Sequence, residues 1–187
     1  MQFQIHTKDT APEASRSTME GMERTYGFIP NLIGVMAASP AAVQAYAAIN
    51  KALEQSLLTP VEQQVVTLTV SAANNCVYCV GAHSTVAQMI RMPEEILAAL
   101  RAQQALPDAT LNALRVLVGS VVQHRGWVPE ADLEQFVAAG YSQQHMLDVL
   151  TIVALKTFSN YVNHIAHTPL DLRFAVQRWK PEIATTA

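Results

Sequence analysis

The 187-residue sequence has only two cysteines, no run of Lys or Arg and no long apolar stretch. Each absence excludes something. Without a basic stripe, and with a formal charge of -3 and a pI of about 6.0, nucleic acid and anionic membrane surfaces are poor partners. No window approaches the roughly 18 apolar residues that a membrane helix requires. The opening MQFQIHTKDTAPEASRS has no apolar core of signal-peptide length, so a cytoplasmic location is expected. Strand-like alternation is confined at most to QFQIH. Repeats of fixed period, low-complexity tracts and linkers are also missing, which predicts one domain over 1–187. Charge is sparse: 14% of residues are charged and 50% are hydrophobic, which favours a well-packed globule over a disordered chain. The same balance predicts an apolar surface covered by another copy, a homo-oligomer.

What is present reads as helix. Ser39-Pro40, Thr59-Pro60 and Thr168-Pro169 each offer a capping hydroxyl followed by Pro at a first helical position. TPVE at 59–62 also reads as a capping box that commits Glu62 to the backbone at Thr59. Val43, Tyr46, Ile49, Leu53 and Leu57 form one helical stripe. Met146, Val149, Leu150, Val153 and Leu155 belong to another helix, expected to be buried on most sides. Gly27, Gly126 and Gly140 suit helix stops. The expectation is an all-α protein of about eight to ten helices.

Both cysteines lie in NNCVYCVGAHSTVA, residues 74–87. Thr59 to Ala73 reads as one helix, Asn74 and Asn75 interrupt it, and a new helix should begin at Cys76. A first turn, with its free N–H groups, favours a thiolate. Cys76 and Cys79 share a face, with β-carbons about 5–6 Å apart in a regular helix, whereas a disulfide wants about 3.8 Å. His83 is one turn beyond Cys79, where it can act as base or as imidazolium partner. The implied chemistry is nucleophilic: Cys79 attacks a hydroperoxide and becomes a sulfenic acid, and Cys76 condenses with it to a disulfide. Two buried thiols without a role, or a zinc site completed by His164 or His167, are the alternatives.

The stretch LTPVEQQVVTLTVSAANNCVYCVGAHSTVA, from Leu58, resembles the core motif of the AhpD-like alkylhydroperoxidases of the carboxymuconolactone decarboxylase superfamily. YGFIPNLIGVMAASP at 26–40 and KTFSNYVNHIAHTPLD at 156–171 look like the flanks of the longer, peroxidase-related branch. The resemblance implies a helical homo-oligomer with no metal, haem or flavin cofactor. It implies Cys79 as the peroxide-reacting residue beside His83. Cys76 would be the more exposed partner that exchanges with a dithiol reductant, a lipoyl carrier protein or a thioredoxin-like one. The pattern also calls for a glutamate twelve residues before Cys76, where this sequence has Gln64. An amide can orient His83 but cannot accept its proton. Tyr78 stands where some relatives carry a relay histidine, and is either a supporting residue or a packing aromatic. The superfamily name raises a lactone decarboxylase as a rival, and a redox-sensing helical oligomer is the non-enzymatic one.

Asn160, Asn163, His164 and His167 form a polar face on an apolar helix. They are expected either to hydrogen-bond helix ends and a subunit contact or, for His164, to line the pocket. Trp127 and Trp179 are expected to cover apolar surface.

Overall fold

Several helix starts and stops in this chain follow the capping chemistry of the sequence. The computed structural model describes residues 1–181, so the last six residues of the expected 1–187 unit lie outside it. Nine α-helices and two 3₁₀ segments, and no strand, occur among the described residues. They are α1 (Glu13–Tyr26), α2 (Asn31–Met36), α3 (Pro40–Ala52), a 3₁₀ turn (Leu53–Gln55), α4 (Pro60–Ala73), α5 (Val77–Met89), α6 (Glu94–Arg101), α7 (Ala109–Gln123), α8 (Glu130–Ala138), α9 (Gln143–Ala166) and a 3₁₀ segment (Leu172–Gln177). None of the described helices is long and apolar enough to cross a membrane.

Ser39 caps α3, and Thr59 with Glu62 forms the capping box of α4. Glu62 is fully engaged there: its carboxylate accepts the Thr59 N–H at 2.7 Å and the Tyr141 hydroxyl at 2.9 Å. Gly27, Gly126 and Gly140 each follow a helix at positive φ, as their stop role requires. Thr168-Pro169 starts no helix. His167 ends α9 in left-handed geometry, and the Pro169 carbonyl accepts from the Asn31 side chain at 3.0 Å, which holds the segment extended. QFQIH is not a strand either. His6 donates one backbone hydrogen bond to Gly34 at 3.0 Å, and a Cβ on Gly34 would sit 2.7 Å from Ile5, so a glycine allows this approach.

The core has two parts. α4, the most central helix, packs on α5, α7 and α9. One apolar cluster joins α4 to α6, α7, α8 and the first half of α9, with Leu114, Leu117, Val118 and Phe136 nearly inaccessible. The second joins α1, α2 and α3 to the start of α5 and to Leu155 of α9, and both cysteines belong to it. α9 is not buried on most sides: Leu147, Leu150, Tyr161 and Ile165 face outward, because only its inner stripe meets α4 and the second cluster. Leu57 lies past the end of α3 and is half exposed. Trp179 is buried, with its indole N–H on the Arg101 carbonyl at 2.9 Å, whereas Trp127 is 88% exposed and covers nothing.

Candidate active site at the start of helix α5

The turn between α4 and α5 sets the two cysteines. Asn74 ends α4, and Asn75 adopts a left-handed φ of 54°. The Cys76 N–H then reaches back to the Ser71 carbonyl at 2.8 Å, which closes the helix end. Cys76 is therefore the residue that caps α5, with extended φ and ψ, rather than a member of its first turn. Cys79, the third residue of α5, holds the first-turn position that favours an anion. Both thiols are free and each is only 1% exposed. The expectation of a more exposed Cys76 fails, because that residue is sealed into the same apolar cluster as Cys79.

The two thiols have opposite acidities. Burial opposes ionisation of Cys79. Interaction with the Cys76 thiol, the charge of Lys156 and the amide of Asn163 outweigh burial and bring its pKa down to about 5. The Asn163 Nδ2 donates to Cys79 Sγ at 3.2 Å. Cys76 is pushed up, first by its interaction with Cys79 and then by burial, so it stays a protonated thiol.

His83 is not an imidazolium. Burial, and then the nearby charge of Lys156, hold its pKa well below the usual 6.5. Its Nε2 accepts from Lys156 Nζ at 2.7 Å, and its Nδ1–H donates to Gln64 Oε1 at 3.0 Å. The Gln64 amide thus orients the ring, and the cation of the site is Lys156. That residue is the main one sequence reasoning missed. It is one of four lysines in the chain and stands inside the apolar run MLDVLTIVALKTF of α9, which was the available signal.

The polar face of α9 divides. Asn160 and Asn163 are buried at the site, and Asn160 accepts from the Asn74 side chain at 2.9 Å. His164 and His167 are exposed, which removes the expected fourth zinc ligand and any part for His164 in the pocket. Tyr78 is a bridge. Its hydroxyl donates to Asp171 at 2.6 Å and accepts the Leu32 N–H at 3.3 Å, while its ring packs edge-on to Phe174. Cys79, His83 and Lys156 open into a cavity of about 330 Å³, walled by the rings of Tyr26, Phe28, Tyr46, Tyr78 and Phe174.

This arrangement links stability to pH. Cys79 ordinarily titrates near 9.0, against about 5 in the folded chain. Between those values the unfolded chain holds a proton that the folded chain lacks, so stability rises with pH, by at most about 1.4 kcal/mol per unit. His83 adds the same sign below 6.5, where only the unfolded imidazole is charged. Cys76 adds the opposite sign above 9.0. Urea unfolding of the reduced protein is expected to give a free energy that climbs from pH 5 to pH 8, and Cys79→Ser should flatten the climb above pH 6.5. An equal slope in that variant would contradict the assignment.

Fold and site together define a helical protein with a buried C-x-x-C pair at a helix start. Residues 38–119 match the carboxymuconolactone decarboxylase family. Among solved structures, a peroxidase-related protein from Ralstonia eutropha JMP134, described as an alkylhydroperoxidase AhpD core, is 22% identical with a TM-score of 0.83, covering 96% of this chain and 97% of that one. A cysteine-to-alanine variant of the debrominase Bmp8, in complex with 2,3,4-tribromopyrrole, is 17% identical with a TM-score of 0.80 over 95% of each chain. A peroxidase-related protein from Silicibacter sp. TM1040 is 19% identical with a TM-score of 0.76 over 87% of each. No curated protein matches. The chain thus shares the fold of these AhpD-like and peroxidase-related structures, and its residues 38–119 carry the carboxymuconolactone decarboxylase family match.

Proposed function

We propose that this protein is a thiol-dependent peroxidase that reduces organic hydroperoxides through Cys79 and Cys76, with a dithiol as its reductant. The observation that carries this reading is the unequal pair: a thiolate in the first turn of α5, on the wall of a cavity, beside a thiol that stays protonated. A thiolate is the nucleophile toward peroxide, and a neighbouring thiol resolves the sulfenic acid. The aromatic walls favour an apolar organic group on the peroxide. The lipoyl carrier and thioredoxin-like candidates for the reductant, and the homo-oligomer, belong to the same proposal. His83 and Gln64 position groups around the thiolate in this reading.

The test is a single turnover. Anaerobic, fully reduced protein mixed with one equivalent of cumene hydroperoxide is expected to lose both thiols and release one equivalent of the alcohol. Protein that keeps both thiols through many equivalents would end the peroxidase reading. A second reading rests on the ring-walled cavity and on the brominated pyrrole bound to Bmp8. Bromide release from tribromopyrrole with a dithiol, and no consumption of hydroperoxide, would favour it.

A further inference from the structure

Lys156 is a lysine where lysines are rarely found. It is 2% exposed, on the inner face of α9. No carboxylate lies within salt-bridge distance of it among the described residues. A buried ammonium without a counter-charge is costly, so it needs an anion or a proton acceptor. Among the described residues the one hydrogen bond of its ammonium is donated to His83, a neutral base. Its position is also unusual. Lys156, His83 and Tyr46 line the aromatic cavity that holds Cys79, and the same three residues line a second cavity of about 360 Å³ on the other side. The second cavity is bordered by polar groups: Asn50, Glu54, Gln63 and Gln64. Among the described residues, the titratable groups around Lys156 are Tyr26 of α1, Tyr46 of α3, Glu54 of the first 3₁₀ turn, and Cys76, Tyr78, Cys79 and His83 at the α5 start. Among these, the group that can carry a negative charge near neutrality inside the aromatic cavity is Cys79.

We infer that Lys156 is a catalytic residue of this site, the counter-ion of the Cys79 thiolate and the acid that protonates the oxygen leaving the hydroperoxide. The inference rests on the peroxidase reading and adds a residue with a role to it. In the first step the Cys79 sulfur attacks the terminal peroxide oxygen. An S–O bond forms and the O–O bond breaks. The sulfur is oxidised to a sulfenic acid, and the alkoxide takes a proton from Lys156 and leaves as the alcohol. In the second step the Cys76 thiol and the sulfenic acid form a disulfide, and the thiol proton and the hydroxyl leave as water. Lys156 is then a neutral amine. A dithiol returns two electrons and two protons: one restores the Cys76 thiol and the other recharges Lys156, by way of the second cavity. His83 holds the lysine in place from one side, and Gln64 holds His83. A carboxylate at position 64 would partly cancel the lysine's charge, and the neutral amide found there does not.

The test uses the full chain with Cys76→Ser, so that Cys79 is the only thiol. Thiolate absorbance near 240 nm against pH reports the counter-ion role without any peroxide. Lys156→Met is expected to move the thiolate titration up by at least one pH unit, and Lys156→Arg to leave it within half a unit. The rate of sulfenic acid formation with cumene hydroperoxide, measured at a pH where the thiol is fully ionised in every variant, reports the acid role. Both variants should be slower there by about 10²-fold, since a guanidinium keeps the charge but does not release its proton. Unchanged titration in Lys156→Met, or a full rate in either variant at that pH, would overturn the assignment. Should Lys156→Met not fold, Lys156→Arg carries the test alone: a retained titration with a slowed step supports the inference, and a full rate overturns it. A wild-type protein that reacts with no hydroperoxide refutes the peroxidase reading and the acid role, while the titration still decides the counter-ion role.

Discussion

Cys79→Ser is expected to stop hydroperoxide-driven oxidation at its first step, with the observed rate falling by about 10⁴-fold or more. A serine hydroxyl at this place has the same helix start, the same Asn163 amide and the same lysine around it. It lacks a low pKa and a sulfur that accepts oxygen, so nothing in the surroundings rescues it. Cys76 does not stand in. It lies outside the first turn of α5, and its pKa is pushed up rather than down. The one remaining thiol of Cys79→Ser should therefore survive many equivalents of cumene hydroperoxide at pH 7, as counted by a thiol reagent after unfolding. If that thiol were oxidised at the wild-type rate, the roles of the two cysteines would be reversed. The fold should tolerate the change, because serine is smaller than cysteine and the cluster around it is otherwise intact.

The helical class, the starts of α3 and α4 and the turn at Asn74–Asn75 were legible because each has a local cause. Ser39, Thr59 and Glu62 act on N–H groups within three residues of themselves, and Gly27, Gly126 and Gly140 act through their own φ. Thr168-Pro169 carries the same local signal and misleads, because a contact with Asn31, far away in the sequence, holds that segment extended. The site divides in the same way. Cys76, Cys79 and His83 lie within eight residues, so one helical turn brings them together. Lys156 and Asn163 come from α9, and no spacing rule connects residue 156 to residue 83. The neutral state of His83 was out of reach for that reason: the i to i+4 spacing is satisfied equally by an imidazolium and by an imidazole that accepts from a lysine. Burial of Cys76 was hidden too, since it depends on α1, α2 and α3 closing over the start of α5.

Cys76→Ser should separate the chemical step from the cycle. Its first turnover is expected to survive, because the introduced hydroxyl can still donate to the Cys79 sulfur. The reaction then stops at a sulfenic acid on Cys79, seen as a dimedone adduct on that residue by mass spectrometry. Steady-state turnover with a dithiol should fall by about 10²-fold or more, since the external reductant must replace a thiol held in place. The loss is large because both sulfurs are buried and only Cys79 borders the cavity. A dithiol reaches the wild-type pair only if the Asn74–Cys76 turn opens. That turn is held by the Asn75 N–H on Ala72 at 2.9 Å, the Cys76 N–H on Ser71 at 2.8 Å and the Asn74 side chain on Asn160 at 2.9 Å. Forming the disulfide pulls on this turn, because the two sulfurs must close from thiol–thiolate contact to a bond of about 2.0 Å while the Cys76 N–H is tied to Ser71. Oxidation thus strains the element that covers Cys76 and favours its opening toward the reductant. Without Cys76 that coupling is absent, and the sulfenic acid is reached only by a small reagent that enters through the aromatic cavity. Hydrogen exchange across the turn at positions 75 and 76 should accordingly rise on oxidation of the wild-type protein and stay unchanged in Cys76→Ser. Full steady-state turnover by Cys76→Ser would remove Cys76 from the cycle and leave direct reduction of the sulfenic acid as the route.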